Sequence, residues 1–165
     1  MEANGDIDWL LMAFKIVAVF FLVGMNGFFV AAEFALVKIR VTQLQPLVDE
    51  GQRRAKVAHY IVDNLDAFLS ACQLAITLAS LALGWIGEPI FETLLEPVFH
   101  WLAIESETAK STISFGFGFS VITILHIVVG EVAPKSLAIQ KPLPTSLWVA
   151  YPMMWFYKVS YPFVA

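Results

Sequence analysis

Leu125-His-Ile-Val-Val-Gly-Glu-Val-Ala-Pro-Lys135 sets a carboxylate, a proline and a lysine at the end of a long apolar run. If that run lies in a bilayer, Glu131 needs a partner or a ligand, because a lone ionisable group in hydrocarbon is expensive. Pro134 has no N–H, and its ring displaces the carbonyl four residues back, that of Gly130. A freed Gly130 carbonyl beside the Glu131 carboxylate is a pair of hard oxygens, a donor set that suits Mg2+ or Na+ and not a soft metal. Discontinuous helices of transporters build ion sites in this way.

The composition agrees. The 165 residues are 59% hydrophobic and 15% charged, with a mean hydropathy of +0.74, too apolar for a soluble globular domain. The chain reads as an all-α integral membrane protein of three or four spans with no sizeable water-soluble domain. Its abrupt stop at Tyr161-Pro-Phe-Val-Ala reads as a fragment of something longer. Cys72 is the single cysteine, lies in an apolar run and reads as a packing residue. There is no repeat, no low-complexity tract and no basic face for nucleic acid.

The quoted stretch closes a span over about 112–132, with Ser114, Gly116, Gly118 and Ser120 in its first half. Gly116 and Ser120 form a small-xxx-small pair that permits close contact with another helix or subunit. A first span covers about 9–37, interrupted by Lys15, Asn26 and Glu33; Lys15 can snorkel, while Asn26 and Glu33, seven apart, share a face. The polar, acidic head Met1 to Asp8 does not read as a signal peptide. A second span covers about 65–85, closed by Gly84 and a Gly87-Glu88-Pro89 turn, with Gln73, Thr77 and Ser80 on one face. An interfacial helix is expected over 89–103.

Charge sets the orientation. Lys38, Arg40, Arg53, Arg54 and Lys56 lie between the first two spans, around two juxtamembrane helices in 41–64, whereas 88–110 holds five glutamates and one lysine. The positive-inside rule then puts 41–64 in the cytoplasm, the amino terminus outside and the carboxy terminus in the cytoplasm. The stretch 146–165, with Trp148, Tyr151, Trp155, Tyr157, Lys158 and Tyr161, is either a fourth span or a broken helix in the inner interface, and its aromatics and prolines favour the latter. Counting ~1.5 Å per residue, Asn26 and Gly130 both lie about 25 Å from the outer ends, and Gln73 and Thr77 about 12 to 18 Å from the inner end of theirs. Polar groups of three helices therefore converge on one site in the inner half, with Glu33 near its entrance.

Met25-Asn-Gly-Phe-Phe-Val-Ala-Ala-Glu-Phe-Ala-Leu, the Arg40-Val-Thr-Gln-Leu segment with its later Glu50-Gly-Gln-Arg-Arg-Ala, and above all Gly130-Glu-Val-Ala-Pro-Lys resemble the transmembrane domain of the CorC and cyclin M (CNNM) family. The resemblance covers nearly the whole chain in order. It implies a cytoplasmic-membrane homodimer with three spans per subunit and an amphipathic belt helix, matching 146–165. It implies Mg2+ export driven by Na+ influx, and nucleotide binding only through cytoplasmic CBS domains that are absent here. It also implies a site at Gly130, Glu131 and Pro134. Serines and an asparagine that many relatives carry are replaced here by Val30, Ala32 and Ile76, so Asn26, Gln73 and Thr77 are the substitute oxygen donors, or else this branch binds the ion less tightly or binds another. Glu33, Pro134, Lys135 and Ser80 are assigned to the pathway or its gating.

Each residue has a plainer alternative. Asn26 and Gln73 can be interhelical glue, Thr77 can bond its own helix, Glu131 can pair with Lys135, Glu33 with Lys38 or Arg40, and His126 can be a packing residue. The functional classes are a Mg2+ exporter working by alternating access, or a Mg2+-sensing or scaffold domain that binds without moving the ion. An enzyme is not expected: there is no His-Glu-x-x-His, no Gly-x-Ser-x-Gly and no acid–base pair at matching depth.

Overall fold

The computed structural model describes residues 9–164. The acidic head Met1 to Asp8 and the final residue of the expected belt helix lie outside them. The described residues form helices without a strand: α1 (Trp9–Lys38), α2 (Val41–Asp49), α3 (Arg53–Asp63), α4 (Leu65–Trp101), α5 (Glu107–Leu125), a π-helical segment (His126–Val132), α6 (Ala133–Gln140) and α7 (Pro142–Val164). Three continuous helical stretches are long and apolar enough to cross a membrane: Trp9–Lys38, Leu65–Trp101 and Glu107–Gln140. The last joins α5, the π segment and α6. With 23 residues α7 is not among them. The protein is thus an all-α, multi-pass membrane protein.

Local signals place the joints. Gly51, at φ +84°, takes the left-handed turn between α2 and α3. Ser106 caps α5 by accepting from the Ala109 N–H at 3.4 Å, and Glu107 in the first turn holds Lys110 at 2.8 Å.

The expected break at Gly84 to Pro89 does not occur. α4 continues through Pro89 and Pro97 to Trp101, so no separate interfacial helix forms over 89–103. The glycines there serve packing. A Cβ on Gly87 would collide with Ile122 of α5, and one on Gly118 would stand 2.7 Å from the Phe91 ring of α4. Each helix thus offers a glycine to a bulky side chain of the other. Gly116 meets open space and Ser120 bonds back to its carbonyl at 2.8 Å, so the close contact falls on Gly118 and not on the Gly116/Ser120 pair.

The third stretch changes partner along its length. It packs on α4 through Gly118, Ile122 and Ser80–His126, then on α1 through Gly130, Pro134 and Ala138. One apolar cluster joins Met12, Val19 and Val23 of α1 to Leu83 and Ile90 of α4, with Phe91, Ile122 and Leu125 against it. At the α2–α3 end, a larger one gathers Phe29, Ala32 and Leu36 of α1, Leu44, Ile61, Phe68 and Cys72, and Val149, Ala150 and Met153 of α7. The sulfur of Cys72 lies 3.6 Å from that of Met153, the packing role expected of it.

Candidate functional site

The site begins with a change of helical register. In an α-helix, Pro134 would deny a hydrogen to the Gly130 carbonyl. Here His126–Val132 widens to π, and the N–H of Ala133 bonds the Val128 carbonyl, five residues back. The next π bond, to Val129, would have to come from Pro134, which has no hydrogen. The π segment ends there, and Pro134 falls in the first turn of α6, where a missing N–H costs nothing.

Gly27 of α1 makes room for this end. A Cβ on it would stand 2.9 Å from Pro134 Cγ, 3.4 Å from the Val129 carbonyl oxygen and 3.7 Å from that of Gly130. A Cβ at 27 would press on the Pro134 ring, with the two carbonyl oxygens already at contact distance behind it. One residue earlier, Asn26 is 1% exposed, and its Nδ2 donates to the Gly130 carbonyl at 3.0 Å. Its Oδ1 is buried with no hydrogen-bond donor. Leaving a buried amide oxygen unpaired costs about 1–3 kcal/mol, so this atom is set up to receive a donor or a cation.

Glu131 follows Gly130 and is half-exposed, with Oε1 3.8 Å from His126 Nε2. That nitrogen also lies 3.3 Å from Ser80 Oγ, which donates to the Ile76 carbonyl at 2.8 Å. Lys135 forms no ion pair with Glu131 among the described residues; its ammonium lies 4.3 Å from the centre of the Phe34 ring. Glu33, partly buried, is in electrostatic reach of Lys135, and no pairing with Lys38 or Arg40 is found among the described residues.

Asn26, Gly130 and Pro134 therefore meet around Gly27, whereas the Glu131 carboxylate, next in the chain, approaches His126, which lies beside Ser80. Gln73 and Thr77 are not. Both are exposed, and Thr77 Oγ1 donates to the Gln73 carbonyl at 2.8 Å. The buried stripe of α4 at this level is Phe68, Cys72, Ala75 and Ala79; Gln73 and Thr77, each two residues from Ala75, point about 200° away from it. The third stretch leaves α4 for α1 below Ser80, so nothing among the described residues covers them. Val30 and Ala32 are buried and apolar and add no ligand. His126, read from the sequence as a packing residue, also stands beside Ser80 and Glu131. Its signal was spacing: it sits five residues before Glu131, which a π turn brings onto one face.

Among the described residues no three His, Cys, Asp or Glu side chains stand as one metal-binding group. The available donors are an amide oxygen, backbone carbonyls and one carboxylate, which fits a hard cation that keeps some of its water.

A family profile described as the cyclin M transmembrane N-terminal domain matches residues 16–165. The chain is also similar to three Bacillus subtilis proteins: UPF0053 protein YugS, 47% identical over 93% of this chain and 36% of that protein; UPF0053 protein YrkA, 45% identical over 87% and 33%; and UPF0053 protein YhdP, 42% identical over 91% and 34%. The chain thus spans about a third of the length of these curated relatives. By the profile match along most of its length, the chain belongs to the cyclin M transmembrane N-terminal domain family.

Proposed function

We propose that this domain moves Mg2+ across the cytoplasmic membrane as a homodimer, exporting it against Na+ influx by alternating access, and that it is a carrier and not an enzyme. The observation that carries the reading is the buried, donor-free Oδ1 of Asn26 beside the Gly130 carbonyl, with the Glu131 carboxylate next in the chain. These oxygens would replace part of the hydration shell of Mg2+, and Glu131 would balance part of its charge. The site lies near the α2–α3 end of the bundle, where the basic residues gather. By the positive-inside rule that end is cytoplasmic, so the amino terminus is outside, the carboxy terminus is inside and the site loads from the cytoplasm.

Export requires Mg2+ and Na+ to favour different states, because a ligand with equal affinity for both shifts nothing. The partner change of the third stretch, from α4 to α1 around the π segment, supplies a place for such a shift. CBS domains that bind nucleotide would follow in the full-length protein. The test is Mg2+ efflux from proteoliposomes holding wild type or Glu131→Ala, with and without an opposing Na+ gradient. Na+-dependent efflux lost in the variant is expected. Efflux indifferent to Na+ would remove the coupling, and Mg2+ binding without efflux would make the domain a sensor or scaffold.

A further inference from the structure

Basic charge gathers at the α2–α3 end of the bundle. Lys38 ends α1, Arg40 stands in the joint to α2, and Arg53, Arg54 and Lys56 open α3; all five are exposed. Among the described residues no ion pair includes any of them. Two nearby carboxylates are engaged elsewhere: Asp49 accepts from Gln45 Nε2 at 2.8 Å, and Asp63 stands 2.9 Å from His59 Nδ1. α3 turns Ala55, Ala58 and Ile61 into the core, so Arg53, Lys56 and Tyr60, at three- and four-residue spacing, share the opposite face. Two guanidiniums in the first turn also oppose the helix dipole, and no acidic residue there offsets them. A surface kept this way is matched by an anion from outside the chain.

We propose that this surface grips the anionic phospholipid headgroups of the leaflet it borders, so that the domain selects lipid of the phosphatidylglycerol kind over zwitterionic lipid. It stands independently of the ion reading. What makes the occupant a lipid is where the charges are held. A single residue, Asn64, separates α3 from the membrane-crossing α4, and α3 packs along α7. Phe68 of α4 ties the three helices together, its ring centre 6.3 Å from that of Tyr60 and 4.2 Å from that of Tyr157. α7 then presents Trp148 and Trp155, 61% and 69% exposed, the residue type that sits at headgroup depth. Basic side chains flanked by exposed aromatics mark a helix lying at a bilayer surface. Arginine suits the phosphodiester, because its planar fork donates to two phosphate oxygens at once.

The test is native mass spectrometry of the full chain in detergent, offered equal amounts of phosphatidylglycerol and phosphatidylcholine. The variants are Arg53→Gln/Arg54→Gln/Lys56→Gln, which changes exposed side chains only, and Lys15→Gln, toward the other end of α1, as control. Wild type is expected to retain phosphatidylglycerol preferentially, the triple variant to lose that preference by at least about ten-fold, and Lys15→Gln to keep it. Equal retention of the two lipids by wild type, or an undiminished preference in the triple variant, overturns the proposal. So does displacement of the lipid by inorganic phosphate at the same concentration, which would make the surface a free-anion site. Polyglutamate that binds wild type in place of phosphatidylglycerol, and not the triple variant, overturns it too and makes this a docking surface for an acidic protein. Should the triple variant fail to fold, Arg53→Gln alone decides, with an expected loss of roughly five-fold.

Discussion

Pro89 in α4 and Pro134 at the start of α6 are the same chemical interruption in different surroundings. Each lacks an N–H and crowds the carbonyl four residues back. At Pro89 that carbonyl belongs to Trp85, whose side chain is 83% exposed, and α4 continues as an α-helix. At Pro134 the preceding turns widen to π, and the Gly130 carbonyl receives a hydrogen bond from Asn26 of another helix. Glycine admits a neighbour in both places, but what arrives differs. Gly87 admits the apolar Ile122, whereas Gly27 admits Pro134 and two carbonyl oxygens. A proline only loosens a carbonyl; a buried polar side chain on the facing helix is what gives it a partner across the bundle.

If that is the difference, disturbing the Pro134 side should cost ion binding and disturbing the Pro89 side should not. The largest effect is expected for Asn26→Leu, which keeps the branched shape but removes both the donor to Gly130 and the free Oδ1. The orphaned carbonyl costs about 1–3 kcal/mol, read as a lower Tm in detergent, and Mg2+ binding by calorimetry should disappear. Retained binding would place the site elsewhere. Gly27→Val comes next. Its side chain overlaps Pro134 Cγ, and overpacking of this kind costs about 1–3 kcal/mol; Mg2+ affinity should fall as the carbonyls are pushed from α1. Gly24→Val, three residues earlier with nothing within 4 Å of its Cβ, is the control and should leave both unchanged.

How much of this was legible in the sequence follows the same division. The third span and the disturbed helix at Gly130 could be read because one apolar run and one proline carry them. Asn26 could be placed by depth alone, since rise per residue is fixed. The continuity of α4 could not, because Gly84, Gly87 and Pro89 look like a turn until Ile122 is known to fill the space beside Gly87. Gln73 and Thr77 were misplaced for a related reason. They share a face with Ser80, but whether that face is covered depends on where the third stretch crosses, which no local pattern encodes. His126 was read as packing because it is a lone histidine on a largely apolar helix; its approach to Glu131 comes with the π segment.

The proline substitutions give the smaller effects. Pro134→Ala restores an N–H, so Val129 or Gly130 regains an intrahelical partner and the segment can return to α register. Folding stability should change by less than about 1 kcal/mol, since a proline in the first turn costs little, while Mg2+ affinity falls several-fold. Pro89→Ala should do the opposite. Alanine in a helix interior is favoured over proline by up to about 3 kcal/mol, so Tm should rise, yet the Mg2+ affinity should stay within two-fold of wild type because Trp85 is exposed on the outside of the bundle. A matching loss of affinity in Pro89→Ala would mean that α4 must bend at this proline for the distant site to form, and the contrast drawn between the two prolines would fail.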